Sequence, residues 1–267
     1  MSFPWQRQPK KVSQSGPISS IFNCCFQLPI LRKSMGRMNL PPRLRVISML
    51  LTLVSLLVQI SLSSSATSSS NPIDNCWRRD VNWAQNRQKL ADCAVGFGKA
   101  AYGGKGGEIY TVTTPDDNPT NPLPGSLRYG VTRKRPLWIV FAKDMNIKLG
   151  MPLSIASYKT IDGRGANVQI SDGPCIRLEK VSNVIIHGLH IHDCKPSNAG
   201  NVLLTESTAP ILMQIQDGDA ISVLSCTDIW IDHNTLSKCA DGLVDVTLAS
   251  TTVTISNNRF SFHDKAS

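Results

Sequence analysis

The chain has 267 residues, 41% of them hydrophobic, which is enough for one large domain with its own core. Its formal net charge of +9 belongs almost wholly to the N-terminus, because residues 1–66 contain eight Lys or Arg and no Asp or Glu, leaving 20 basic and 19 acidic residues in 67–267. The balanced charge of the larger part excludes the basic surface that a nucleic-acid partner requires.

An apolar run, Val46–Leu62, follows the basic residues and precedes the small residues SSSATSSS. This order predicts a secretory signal with cleavage near Ala66. A signal anchor is the alternative, although 17 residues are at the short limit for a membrane span. We therefore predict an N-terminal extension with signal peptide over 1–66, a linker over 67–75, and the folded domain over 76–267, in a secreted, extracellular protein that leaves the membrane after cleavage.

Six cysteines follow the signal, and an oxidising compartment favours bridges between them. The near pairs are Cys76 with Cys93 and Cys175 with Cys194. Cys226 and Cys239 could join or stay as buried thiols, and spacing alone leaves the connectivity open. The cysteines have no CxxC spacing, so we do not expect them to bind a metal.

The segment after the linker predicts one short helix. Trp83, Leu90 and Ala94 recur at helical spacing, so we expect an amphipathic helix from Asn82 to Ala94. The glycines of AYGGKGGEIY lack the spacing of a phosphate-binding loop and predict tight backbone turns instead.

From Ser126 onward, short apolar strands alternate with Gly, Asn or Asp, and no long helical pattern lies between them, which argues against βαβ crossovers. Asn183–Ile191, Asp228–Leu236 and Thr252–Phe260 align their apolar residues at offsets of 45 and 24, interpreted as about two coils and one. A repeat of about 20–25 residues predicts a solenoid whose coils share one core. An all-β parallel β-helix fits this pattern, and a β-sandwich is the structural alternative.

Three aspartates, Asp217, Asp241 and Asp245, have spacings that suggest a metal site. Asp241 and Asp245 are four residues apart, which places both carboxylates on one face of an extended strand. Asp217 lies 24 residues before Asp241, so stacked coils would bring the two together at a strand spacing of ~4.8 Å. Like charges that close require a cation, and calcium is the hard ion that such oxygens prefer. Ordinary surface aspartates in turns are the alternative.

Two other polar groups are interpreted as structural. The histidines and the aspartate within His187–Asp193 have the composition of a zinc site, but their pattern is that of a structural coil. Asp232 and His233 resemble an acid–base pair, and we expect them to hydrogen-bond between coils instead. No Gly-x-Ser-x-Gly or Cys/His arrangement in the sequence supports covalent catalysis.

From about Asn71 to Lys265 the chain closely resembles the plant pectate lyases. The segments that carry the resemblance are NPIDNCWR, NWAQNRQKLADCAVGFG, GGKGGEIYTVT, PGSLRYGV, PLWIVFAKDM, KTIDGRGANVQI, NVIIHGLHIHDCKP, DGDAIS, IWIDHNTLSKCADGLVDV and ISNNRFSFHDK. The resemblance implies a right-handed single-stranded parallel β-helix and a monomer secreted to the cell wall. It also implies calcium-dependent cleavage of (1→4)-α-D-galacturonan, or de-esterified pectin, by β-elimination to 4,5-unsaturated oligogalacturonides.

The resemblance also assigns individual residues. They are the disulfides Cys76–Cys93 and Cys175–Cys194, the calcium ligands Asp217, Asp241 and Asp245, and the substrate-binding Lys265. Asp219 is either a further ligand or a turn residue. The family's arginine base belongs to an RMPRCR-like motif that this sequence lacks, so we expect it beyond residue 267 in a C-terminally truncated chain, and no catalytic residue within it.

Two departures from the family keep other functions open. Asn201–Gln216 does not read like the family's usual sequence, and the arginine motif is missing. A non-catalytic calcium and pectate binder, or an inactive truncated product, is therefore the first alternative. A β-helical hydrolase such as a polygalacturonase, with clustered aspartates acting on water, is the second.

Overall fold

A computed structural model describes Pro41 and residues 71–265. The predicted signal segment Val46–Leu62 lies outside the described residues, as do residues 67–70 of the predicted linker. Within the part of the chain that the structure describes, no helix has both the length and the hydropathy that crossing a membrane requires.

Among the described residues, four short helices lie before the coils or between the first of them. They are the α-helices α1 (Pro72–Trp77) and α2 (Leu127–Val131) and the 3₁₀ helices Arg87–Cys93 and Phe97–Ala100. Asn71 caps α1, because its side chain accepts the backbone N–H groups of Ile73 and Asp74 at 2.9 and 3.4 Å.

The prediction of one amphipathic helix over Asn82–Ala94 is wrong. Residues 81–86 form turns, and only Arg87–Cys93 is helical, in the tighter 3₁₀ form. The Asp80 carboxylate accepts the Asn82 backbone N–H at 2.9 Å and the Asn86 side chain at 3.0 Å. Such local side-chain bonds compete with helical ones, and they hold the first half of the segment in turns.

Seventeen strands lie among the described residues. The first nine are β1 (Glu108–Val112), β2 (Leu137–Phe141), β3 (Met145–Ile147), β4 (Leu153–Ser154), β5 (Lys159–Asp162), β6 (Val168–Ser171), β7 (Ile176–Glu179), β8 (Ser182–His187) and β9 (His190–His192). The others are β10 (Gly200–Val202), β11 (Ile211–Met213), β12 (Ile221–Leu224), β13 (Thr227–Asp232), β14 (Thr235–Ser237), β15 (Val244–Thr247), β16 (Thr251–Ser256) and β17 (Arg259–Ser261).

These strands form three parallel sheets and one small hairpin. The first sheet has the order β1-β2-β5-β8-β13-β16, the second β17-β14-β9-β6-β3, and the third β15-β12-β7-β4. Each coil contributes one strand to each sheet in turn, and the pairing within the three sheets is parallel, whereas β10 and β11 pair antiparallel. The fold is therefore a parallel β-helix, and the β-sandwich alternative is wrong.

The register confirms the alignment of the three repeated segments. Ile229 pairs with Val184 on one side and Val253 on the other, and Leu236 pairs in the same way with Ile191 and Phe260. The offset of 45 is, however, one coil and not two, because β8 and β13 are direct neighbours. The additional residues form an excursion that contains the β10–β11 hairpin.

The corners between the first and second sheets use left-handed backbone at equivalent positions. Gly188, His233 and Asn257 have φ values of 75°, 54° and 54°. Asn234 follows one corner, and its side chain accepts the Leu189 backbone N–H at 3.0 Å and donates to Asn258 Oδ1 at 3.0 Å. These bonds join consecutive coils, so each corner repeats the conformation of the one before it.

Two large apolar clusters hold the described part of the fold together. Inward-facing side chains of the coils form the larger core, in which Ile186, Ile229 and Ile231 are fully buried. A second cluster forms outside the first sheet, where residues between Ile73 and Ala101 pack against Trp138 and Trp230 and bury them. Leu90, Ala91 and Cys93, in the second half of the wrongly predicted helix, belong to this second cluster.

The six cysteines among the described residues divide into two bonded pairs and two thiols. The structure contains the disulfides Cys76–Cys93 and Cys175–Cys194, as the family resemblance implies. Cys226 and Cys239 are free and buried. Burial raises the pKa of both thiols, that of Cys239 to about 11, so both stay protonated at neutral pH.

Candidate metal and uronate site

The loop that enters β12 carries Asp217 and Asp219 on either side of Gly218. Gly218 has φ +102°, and a Cβ there would lie 2.9 Å from atoms of two neighbouring segments. Glycine suits both this conformation and the close approach. The loop can consequently lie against the next coil, where the Asp241 backbone N–H donates to the Gly218 carbonyl at 3.5 Å.

This packing gathers three carboxylates into one cluster. Asp217, Asp219 and Asp241 each place an oxygen within 4.8 Å of the oxygens of the other two. Asp217 is exposed, and the other two are half-buried. Three carboxylates at this range repel one another, and their oxygens are the donors that a hard divalent cation prefers. The residues present therefore fit a calcium ion.

Asp219 is the member most enclosed by the protein. Its Oδ1 accepts the Gly242 backbone N–H and its Oδ2 accepts the Ser222 hydroxyl, both at 2.7 Å. Burial raises the pKa of Asp219, and the negative charges of Asp245 and Asp217 raise it further. The sequence left Asp219 as either a further metal ligand or a turn residue. The structure places it inside the carboxylate cluster.

Asp245 lies on β15 in register with Ser222 of β12. A Cβ added at Gly242 would lie 2.1 Å from Asp245 Oδ1 and 3.0 Å from Asp219 Oδ1, so the two carboxylates converge on this glycine. Asp241 precedes β15 and lies in a bend. The argument that Asp241 and Asp245 share one strand face is therefore wrong, and the loops between coils bring the carboxylates together instead.

Lys265 forms an ion pair with Asp241. Its hydrogen bond and positive charge lower the pKa of Asp241, and the carboxylate raises the pKa of Lys265 in turn. Lys265 is the last residue that the structure describes, and its ammonium group lies at the carboxylate cluster, close to where a bound cation and an anionic ligand would meet.

A second group of metal-competent side chains is structural. Asp232 Oδ2 lies 2.9 Å from His187 Nδ1 and 2.6 Å from His233 Nδ1. Its Oδ1 accepts the Ser256 hydroxyl at 2.7 Å and the Asn257 side chain at 3.0 Å. Burial alone would raise the pKa of Asp232, but these partners lower it further than burial raises it. The contacts agree with the predicted hydrogen bonding between coils.

The zinc-like composition of His187–Asp193 does not produce a zinc site in the structure. His192 lies 2.6 Å from Asp193 Oδ2 and 3.0 Å from Gln169 Oε1, whereas His190 is exposed and His187 belongs to the Asp232 group. The histidines are thus divided among separate surroundings.

Sequence reasoning missed Arg177, which lies beside the carboxylate cluster. Arg177 on β7 is in register with Ser222 on β12, which is in turn in register with Asp245 on β15. Its guanidinium donates to Gln216 Oε1 at 2.6 Å and to Glu179 Oε2 at 3.0 and 3.1 Å. Ile176, Ile221 and Val244 are in register, and the next position of each strand holds Arg177, Ser222 and Asp245. Extending this alignment by one residue would therefore have found Arg177.

Comparison with known proteins identifies the fold's relatives. A family model described as pectate lyase matches residues 147–267. "Pectate lyase 1" of Juniperus virginiana is 62% identical over 198 residues, which is 74% of this chain and 54% of that protein. "Putative pectate lyase 2" of Arabidopsis thaliana is 54% identical over 230 residues, which is 82% of this chain and 59% of that protein. The chain belongs to the pectate lyase family.

A solved pectate lyase relative has the same architecture. The crystal structure of the major allergen from cedar pollen matches with a TM-score of 0.71 and 61% identity, over 72% of this chain and 56% of that one. The chain spans about half the length of the curated relatives it matches. The fold of this chain is therefore the β-helix of the pectate lyase family.

Proposed function

We propose that this protein is a calcium-dependent pectate lyase that cleaves (1→4)-α-D-galacturonan, the polymer of de-esterified pectin, by β-elimination. The observation that carries the proposal is the outward cluster of Asp217, Asp219 and Asp241, with Asp245 and Lys265 beside it. A cluster of carboxylates attracts a cation, and a cation held there attracts the carboxylate of a uronic acid.

The residues divide the work of binding. Asp217, Asp241 and Asp245 would hold Ca²⁺, with Asp219 as a fourth oxygen donor that is already oriented by Gly242 and Ser222. When bound, the ion neutralises the C6 carboxylate of a galacturonate residue and so makes its C5 proton more acidic. The Lys265 ammonium, now paired with Asp241, would bind the same carboxylate.

Elimination then requires a base. Removal of the C5 proton sends its electron pair into a C4–C5 double bond as the C4–O bond breaks, and the bridging oxygen leaves with the next sugar. We propose no residue of 1–267 as this base, because the sequence lacks the RMPRCR-like motif to which the family's arginine belongs. Binding and orientation of the uronate are the parts of the reaction that the described residues supply.

A non-catalytic calcium and pectate binder is the second candidate. This candidate is supported by the hydrogen bonding of Arg177, the arginine that lines the cleft beside Asp217 and Asp219. This guanidinium is already hydrogen-bonded to Glu179 and Gln216 and so is poorly placed to remove a proton.

An elimination assay separates the candidates. The full chain is incubated with polygalacturonate, with and without Ca²⁺, and the double bond is followed by ultraviolet absorbance. Calcium-dependent absorbance supports the lyase, and reducing ends without absorbance would support a hydrolase. If folded protein binds calcium and polygalacturonate but gives no absorbance and no reducing ends, the non-catalytic binder is supported.

Asp217→Asn tests the metal site itself. Loss of one carboxylate should weaken Ca²⁺ binding about tenfold or more, since ligand charge sets the affinity of such sites. Asp92→Asn is the control, because Asp92 pairs with Lys105 on another part of the surface. Equal calcium affinities of the two variants by titration calorimetry would place the ion elsewhere.

We also propose the surrounding organisation: an extension with signal peptide over 1–66, a linker over 67–75, and a domain over 76–267 that is secreted to the cell wall as a monomer and binds pectin. The division of internal contacts between Ala66 and Thr67 supports the first boundary.

A further inference from the structure

A second cleft adjoins the carboxylate cluster on the same face of the molecule. It has a volume of about 400 Å³ and lies between strands β4 and β7 of the third sheet and the β10–β11 hairpin. The hairpin lies in the excursion between β9 and β12. This excursion therefore forms one wall of the cleft.

The two clefts share one wall residue. Arg177 lines both the cleft beside Asp217 and Asp219 and the larger one. Because Arg177, Ser222 and Asp245 are in register on three consecutive coils, Arg177 lies about two strand spacings, or ~10 Å, from the outer coil of the cluster. A polysaccharide that binds at the cluster and runs across the strands would continue into the larger cleft.

The walls of the larger cleft are mainly apolar. Ile155 is buried in the sheet, Leu204 packs against a small apolar cluster under the hairpin, and Ile211 is 46% exposed on β11. Such walls suit the C–H faces of a sugar and small apolar substituents, and they strongly disfavour an ionised carboxylate that lacks its own partner.

The charged side chains of the cleft are already paired with one another. Arg177 is engaged by Glu179 and Gln216, and Lys180 Nζ lies 3.7 Å from Glu179 Oε1. A free uronate would have to displace Glu179 from the guanidinium and would meet its negative charge. A neutral residue meets neither obstacle.

We propose that this cleft binds a methyl-esterified galacturonate residue of a partly esterified pectin chain, whose ionised residue occupies the carboxylate cluster. The inference rests on the function proposed above. It makes Ile211 and Glu179 specificity-determining residues: Ile211 provides apolar contact for the ester, and Glu179 excludes the free acid. The preferred substrate is then a pectin of intermediate esterification.

Calorimetric titration of the full chain in Ca²⁺ tests the inference. The ligands are two oligogalacturonates of equal length, one fully de-esterified and one partly methyl-esterified. We expect the partly esterified ligand to bind about tenfold more tightly, the discrimination that a methyl group reaches in an apolar pocket. Equal or tighter binding of the de-esterified ligand overturns the inference.

Three variants assign the effect to the cleft. Ile211→Ser should remove most of the preference, whereas Leu212→Ser, one position along the same strand and outside the cleft lining, should keep it. Glu179→Gln should strengthen binding of the de-esterified ligand about tenfold and leave the esterified one nearly unchanged, because only the free acid meets the Glu179 charge. Parallel changes for both ligands would mean that Glu179 acts only structurally and would overturn its assignment.

Failure of the inference differs from failure of the proposed function. If neither oligogalacturonate binds in a calcium-dependent way, the proposed function fails and the inference fails with it. If both oligogalacturonates bind the wild type with equal affinity, and if Asp217→Asn abolishes the binding of both, the inference alone is overturned.

Discussion

Two glycines decide where the acidic side chains lie. Gly218 bends the loop between Asp217 and Asp219 with φ +102°, and Gly242 leaves the space that the carboxylates of Asp219 and Asp245 occupy. A side chain at either position would meet neighbouring atoms at 2.9 Å or less. At the scale of single residues, the metal site therefore depends on these two glycines, which have no side chain, as much as on the ligands themselves.

Gly218→Ala should separate the loop from the coil that carries Asp241. We expect it to lower the free energy of unfolding by about 1–3 kcal/mol, from backbone strain and close contact, and to weaken Ca²⁺ binding. The matched control is Gly106→Ala, which has φ +81° but no atom within 4 Å of the added Cβ. Denaturant titration and calorimetry measure both effects, and an equal calcium affinity in the two variants would contradict the prediction.

At the scale of elements, α1 is held to the β-helix by a half-buried polar contact. His233 Nε2 lies 3.0 Å from Asp74 Oδ1 of α1, and His233 Nδ1 lies 2.6 Å from Asp232 Oδ2. Burial alone would lower the pKa of His233, and so would the charge of Arg78, but Asp232 and Asp74 raise it above 6.5 overall. The His233 ring therefore lies between two carboxylates across the interface, and these favour its protonated form.

This contact predicts a pH dependence of stability. A raised histidine pKa contributes stability that is complete below the unfolded value of 6.5 and is lost as the pH rises through the folded value. His233→Gln should be less stable than the wild type at pH below 6.5 and approach it at alkaline pH. His190→Gln, at an exposed site, is the control, and a difference that does not vary with pH would argue against the contact.

At the scale of the whole molecule, the last strands of the three sheets are open to solvent. β15, β16 and β17 are edge strands of the described sheets, and they expose Val246, Ile255 and Phe260 by 39%, 42% and 50%. Exposed edges with apolar side chains are templates for pairing with another chain. Within the described residues, these strands are therefore the surface at which self-association is expected.

Phe260→Lys should reduce self-association, because a charge on an edge strand opposes pairing. Sedimentation across a concentration series measures the effect, and Tyr102→Lys, at a 59% exposed aromatic residue away from the edge, is the control. A wild-type chain that remains monomeric throughout the series would contradict this expectation.

The sequence by itself determined the periodic part of the molecule. Aligned apolar residues such as Val184, Ile229 and Val253 predicted both the β-helix and its register, because each coil must present the same inward face to its neighbours. Local motifs also carried the family resemblance, which in turn implied the two disulfides that the structure contains. Such features depend on short-range spacing that the printed sequence contains.

Only the tertiary structure decided what lies between the repeats. It showed that the offset of 45 is one coil with an excursion, that Asp241 reaches Asp219 from a bend, and that Arg177 borders a second cleft. It also replaced the predicted helix over 82–94 by turns held by Asp80. Contacts with distant segments set the excursion, the bend at Asp241 and the cleft beside Arg177, whereas side-chain bonds close in sequence hold the turns at Asp80. Neither kind of contact leaves a period in the sequence.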